Sequence, residues 1–126
     1  MKFMLVDDSS TMRKIQRRTL ERLGFGEIIE AEDGEEALRL LPDANPDILI
    51  TDWNMPNVNG LELVKQIRQT DQKLPIIMVT TEAEKNRVIE AIKAGISDYL
   101  IKPFTSEALA SKIRRVANLA HEPAGV

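Results

Sequence analysis

The chain has 126 residues, 43% hydrophobic and 29% charged, with a net charge of −3 and no cysteine. These figures describe a globular chain long enough to bury the core of one domain, and they exclude disulfides, thiolate chemistry and Cys-based zinc sites. They give no positive footprint for nucleic acid or an anionic membrane, and no apolar run approaches the roughly 20 residues of a spanning helix. The opening Met1-Lys2-Phe3-Met4-Leu5-Val6-Asp7 turns acidic too early for a signal peptide, so a cytoplasmic protein is expected.

In chain order, Phe3–Val6 is a short apolar strand that runs into Asp7-Asp8. A helix follows from Ser9 or Ser10, with Met12, Ile15, Thr19, Leu20 and Leu23 on one face and Gly24 at its C-terminal end. Glu27–Ala31 is the second strand. After Glu32-Asp33-Gly34 comes a short helix through Ala37, Leu38 and Leu41, which Pro42 is expected to end. The third strand, Asp47–Thr51, delivers Asp52, and the turn-rich segment from Trp53 to Gly60 is loop.

Leu61, Val64 and Ile67 mark the third helix, and Pro75 opens a fourth strand, Ile76–Val79. The fourth helix runs through Val88, Ile89 and Ile92 to Gly95. Asp98–Ile101 is the fifth strand, broken by Lys102-Pro103. The last helix starts at Thr105 and is expected to bury Leu109, Ile113, Val116 and Ala120, with a frayed tail from His121. Five strands alternating with five helices predict a doubly wound α/β fold with a parallel sheet in the flavodoxin-like order 2-1-3-4-5, one domain over residues 1–120 and a short tail over 121–126.

In that order the carboxyl ends of strands 1, 3, 4 and 5 lie side by side, bringing Asp7, Asp8, Asp52, Thr80 and Lys102 to one crevice. Singly, each has an ordinary explanation as a turn, capping or surface residue. Jointly they suit phosphoryl transfer. Three gathered carboxylates repel one another unless a hard divalent cation such as magnesium joins them, which leaves one free as a nucleophile. Asp52 is the candidate nucleophile, while Thr80 and Lys102 are placed to meet phosphoryl oxygens.

The segments Val6-Asp7-Asp8, Asp52-Trp53-Asn54-Met55-Pro56, Met78-Val79-Thr80 and Tyr99-Leu100-Ile101-Lys102-Pro103-Phe104 resemble the signature of two-component response regulator receiver domains. Together with Thr11-Met12-Arg13 they are most similar to receivers of the chemotaxis type, collinear from Lys2 to about Leu119. The resemblance implies a signalling protein rather than an enzyme, with catalysis confined to its own phosphorylation and dephosphorylation. Asp52 is then the phospho-acceptor, and Asp7, Asp8, Asp52 and the main-chain carbonyl of Asn54 hold Mg2+. It implies a sensor histidine kinase as donor and a protein target, such as a flagellar motor switch, with no nucleic acid or membrane partner and a monomeric state. It further implies a cis Lys102-Pro103 bond and a switch in which Thr80 moves toward the phosphoryl group and Tyr99 fills the space vacated. Asn54 and Glu82 are positions that tune the lifetime of the acyl phosphate. Val88, Ile89, Ile92, Tyr99, Ile101 and Lys112 are candidates for the face of helix 4, strand 5 and helix 5 that meets a partner.

A phosphorelay receiver, or one detached from an output domain, is the nearest alternative; the lone His121 is no acceptor candidate. An Asp-dependent phosphatase is a weaker fit, because such enzymes put the nucleophile on strand 1 and need a substrate cap, for which no segment is long enough. A flavodoxin-like FMN carrier is weaker still, since Asp7 and Asp8 repel a phosphate when no metal intervenes.

Overall fold

Hydrophobic alternation decides the architecture. In a computed structural model that describes residues 1–121, with side-chain surroundings to Asn118, the chain forms β1 (Lys2–Val6), α1 (Ser10–Arg22), β2 (Glu27–Ala31), α2 (Gly34–Ala44) and β3 (Ile48–Asp52). There follow α3 (Gly60–Thr70), β4 (Ile76–Thr80), α4 (Lys85–Ala94), β5 (Asp98–Ile101) and α5 (Ser106–His121). The strands pair in parallel in the order β2-β1-β3-β4-β5, as expected. Successive side chains point to opposite faces of a strand. Met4, Val6, Leu49, Ile76 and Met78 therefore pack with α2, α3 and α4, whereas Phe3, Leu5, Ile48, Ile50, Ile77 and Val79 pack with α1 and α5. Both faces are covered, which is why the three central strands read as unbroken apolar runs.

The register fixes what the strands carry at their carboxyl ends. Val6 pairs with Thr51, so the next residues, Asp7 and Asp52, come side by side. Asp52 pairs with Val79, one residue before Thr80, and Thr80 pairs with Ile101, one residue before Lys102. Chain order reverses between β1 and β3, the place where open α/β sheets leave a crevice.

Two sequence expectations are corrected. Pro42 does not end α2. It lies in the last turn, and the helix continues to Ala44, where Asn45 in the left-handed region (φ 44°) closes it by donating its N–H to the Leu41 carbonyl. The helix there bears the loss of one i→i−4 bond and the crowding of the proline ring against the carbonyl four residues back. The inward face of α1 is Gln16, Thr19 and Leu20, while Ile15 and Leu23 are exposed. The inward arc carries polar groups because it meets α5, where the Thr19 and Ser106 hydroxyls lie 3.3 Å apart. On α4 the one buried residue is Ala91; Ile89 and Ile92 are exposed.

The cap signals hold. Ser9, Asp33 and Asn59 accept main-chain N–H bonds at the starts of α1, α2 and α3, and the Thr105 hydroxyl does so for α5. Gly24, one residue beyond the α1 C-cap Leu23, has φ 94°. α5 includes His121, the first residue of the expected tail. The burial of Ala120 and residues 122–126 lie outside the described residues.

Candidate functional site

Asp7, Asp8 and Asp52 each offer a carboxylate oxygen, and the three atoms lie within 4.8 Å of one another. Asp7 is buried and held from several sides. Its N–H donates to the Ala31 carbonyl at 3.1 Å, one carboxylate oxygen accepts from the Ser9 N–H at 2.9 Å, and the other faces the Lys102 ammonium at 3.3 Å. Asp8 is exposed, and among the described residues its carboxylate takes part in no hydrogen bond or ion pair. Asp52 is 8% exposed, accepts the Trp53 N–H at 2.9 Å and lies 3.4 Å from the Lys102 ammonium.

The electrostatics fit a divalent cation. Burial pushes the Asp52 carboxyl above its ordinary value, the Lys102 charge pulls the other way, and the neighbouring Asp7 carboxylate pushes it up again. One ammonium therefore does not neutralise the buried pair. Hard carboxylate oxygens at this spacing are the donor set magnesium accepts, with water and a phosphoryl oxygen completing its shell. The Asn54 carbonyl belongs to the same β3–α3 loop, with Asn54 itself exposed.

That loop is fixed by two close approaches. Gly60 donates its N–H to the Trp53 carbonyl at 2.8 Å, and a Cβ on Gly60 would stand 2.0 Å from the Asp52 carbonyl oxygen. Gly34 donates to the Val58 carbonyl at 3.0 Å, and its Cβ would meet that oxygen at 2.5 Å. Asn57, at φ 65°, bonds the α2 cap Asp33 at 2.7 Å.

Thr80 is fully buried at the end of β4, and its hydroxyl accepts the Glu82 N–H at 3.2 Å. The half-buried Tyr99 donates its hydroxyl to the Glu82 carbonyl. A single residue, Glu82, thus joins the threonine and the tyrosine through its main chain, an arrangement that spacing alone did not reveal. The Lys102-Pro103 bond is cis. Of the candidate partner face, Ile92 and Ile101 are exposed and Val88 is half-buried, while Lys112 is already paired with Asp98 at 2.9 Å. Burial raises the Asp98 carboxyl, but hydrogen bonds from Lys112 and the Tyr99 N–H, with the charges of Lys112 and Arg115, outweigh it and hold it low.

Two arrangements escaped the sequence reading. The Arg87 guanidinium sits 5.4 Å from the ring of Trp53, a cation–π contact between α4 and the loop after Asp52. Arg13 and Arg17 both grip Glu30 on β2, and Arg13 also reaches the Asp7 carbonyl. The signal was available for the second: two arginines one turn apart on a helix that follows β1, with a lone acid inside an otherwise apolar β2 core.

A doubly wound sheet with an acid cluster at its switch point, flanked by a threonine and a lysine, defines an α/β domain with a candidate divalent-cation site. Residues 3–114 match the model of the response regulator receiver domain, and the chain belongs to that family, whose members are signalling modules rather than classical enzymes. It is 53% identical to the chemotaxis protein CheY1 of Helicobacter pylori, over 92% of this chain and 96% of that one. It is also 53% identical to a chemotaxis protein CheY homolog of Campylobacter jejuni, over 92% of each. Among solved structures, the chemotaxis protein CheY4 of Vibrio cholerae superposes with a TM-score of 0.85 at 38% identity, covering 91% of this chain and 97% of that one. The chain is thus a CheY-like receiver domain.

Proposed function

We propose that this chain is a CheY-like response regulator that takes a phosphoryl group onto Asp52 from a sensor histidine kinase and signals by changing its hold on a protein partner, in chemotaxis. The observation that carries the reading is the meeting of three carboxylates and one lysine at the β1/β3 switch point, with Asp52 the acid whose carboxyl burial and Asp7 push up. A carboxylate oxygen of Asp52 attacks phosphorus, the bond from phosphorus to the donor's imidazole nitrogen breaks, and that nitrogen leaves with the electron pair. Asp7, Asp8, Asp52 and the Asn54 carbonyl hold Mg2+, which neutralises charge on the phosphoryl oxygens. Lys102, already between Asp7 and Asp52, pairs with one phosphoryl oxygen as a point charge.

The response begins at Thr80. To bond the phosphoryl group its hydroxyl gives up the Glu82 N–H, which loosens the residue that also accepts the Tyr99 hydroxyl. Tyr99 and Thr80 then act as one two-state element, whose equilibrium the new charge biases. The readout is the face carrying Val88, Ile92, Tyr99, Ile101 and Lys112, and the exposed apolar side chains of Ile92 and Ile101 favour a protein partner there, such as a flagellar switch component. Asn54 and Glu82 flank the phosphoryl position and set water's access to the acyl phosphate. The receiver unit is residues 1–120, a cytoplasmic monomer.

Trp53, 4% exposed beside Asp52, is the only tryptophan and reports on the site. Titration with beryllofluoride in the presence of Mg2+ is expected to give a saturable change in its emission that is absent in Asp52→Asn. Cation binding without any response to beryllofluoride would contradict phospho-acceptance.

A further inference from the structure

Asp8 presents a problem that the site itself does not solve. It is exposed, and among the described residues nothing bonds its carboxylate, yet that carboxylate sits within 4.8 Å of those of Asp7 and Asp52. Like charges at that spacing favour a side chain that turns away to solvent. Its direction must come from the peptide that precedes it, and the oxygen of that peptide is the Asp7 carbonyl.

The Asp7 carbonyl accepts from a terminal nitrogen of Arg13, about one turn into α1 from the N-cap Ser9. The same guanidinium is anchored at its other edge, where its Nε donates to Glu30 at 2.8 Å. Glu30 is gripped on its second oxygen by Arg17, which donates from Nε at 2.9 Å and also reaches the Ile28 carbonyl at 3.3 Å. The Arg13 side chain is only 13% exposed. A guanidinium is a planar fork, so fixing one edge on a carboxylate aims the other. Arg13 and Arg17 share the single Glu30 carboxylate, so the group keeps one net positive charge, which by charge alone opposes a divalent cation at the neighbouring acids.

We propose that Arg13, aimed by Glu30, is a positioning residue for the cation site: by holding the Asp7–Asp8 peptide it keeps the Asp8 carboxylate turned toward those of Asp7 and Asp52. Arg13 touches neither the cation nor the phosphoryl group. Arg17 braces Glu30 without contact to Asp7 and is therefore the natural control. The inference rests on the proposed function only in that the acid cluster binds Mg2+.

Charge and position predict opposite signs, which makes the test sharp. Mg2+ is titrated against Trp53 emission in the full chain, with thermal midpoints measured alongside in chelator. Removing a positive charge by Arg13→Gln would by Coulomb's law tighten Mg2+ binding; loss of positioning weakens it, by an expected three- to tenfold on the order of other supporting contacts to metal sites. Arg13→Lys keeps the charge and loses the fork, and is expected to weaken binding about threefold, carrying the test should Arg13→Gln fail to fold. Arg17→Gln is expected to lower the thermal midpoint while moving Mg2+ affinity less than twofold. Mg2+ affinity unchanged or improved in Arg13→Gln or Arg13→Lys overturns the inference and leaves the proposed function standing. Absence of Mg2+ binding by the unmutated chain overturns both, and a loss in Arg17→Gln equal to that in Arg13→Gln reduces the network to a structural brace.

Discussion

At the scale of single residues the central tension is at Asp52. Burial and the Asp7 carboxylate raise its carboxyl above the ordinary value, against the pull of Lys102 and the bond from the Trp53 N–H. The folded state therefore binds this proton more tightly than the unfolded one. Stability attributable to Asp52 is lost as pH rises from the ordinary carboxylate value through the raised one, and the deficit persists at neutral pH. Asp52→Asn keeps the shape and an acceptor for the Trp53 N–H while removing the charge. In chelator at neutral pH it should melt above the parent by the equivalent of about 1 kcal/mol, the scale of one relieved buried-charge conflict. The difference should vanish as pH falls below the ordinary carboxylate range. Mg2+ should raise the melting temperature of the parent and not of the variant; a variant less stable than the parent in chelator would contradict this account of the site.

At the scale of elements, the loop after β3 is positioned by the way α3 starts. Gly60 lies so close to Asp52 and Trp53 that a Cβ would stand 2.0 Å from one carbonyl and 2.9 Å from the Trp53 Cα, both rigid main chain. Gly60→Ala should destabilise the fold by about 3 kcal/mol or more in denaturant unfolding, and a loss under 1 kcal/mol would show that the loop yields easily. Much at this scale was legible. The apolar runs gave all five strands, and the acids ending β1 and β3 meet the lysine just past β5. Caps at Ser9 and Thr105 were visible because capping is local chemistry. The errors at Ile15 and Pro42 share a cause. Periodicity reports where apolar residues recur, whereas which arc turns inward, and how a helix end is closed, depend on neighbours distant in sequence, such as Ser106 for α1 and the left-handed Asn45 for α2. The Glu82 link between Thr80 and Tyr99 was hidden for the same reason.

At the scale of the whole molecule, the fold separates three tasks. The carboxyl edge of the sheet collects charge, the two apolar layers hold that edge rigid, and the surface of α4 and β5 leaves Ile89, Ile92 and Ile101 exposed. In the proposed response a charge change at Asp52 reaches that surface through Thr80, Glu82 and Tyr99, because the Glu82 main chain is hydrogen-bonded to both the Thr80 and the Tyr99 hydroxyls. Everything in this account depends on Asp52 being the acceptor. The most direct test is incubation of the full chain with a small phosphodonor such as acetyl phosphate and Mg2+, followed by intact-mass measurement and peptide mapping. The account predicts a gain of one phosphoryl group, carried by the peptide containing Asp52, absent when chelator is present from the start and absent in Asp52→Asn. Absence of any gain, or a phosphoryl group carried by another residue with Asp52→Asn still labelled, would contradict it.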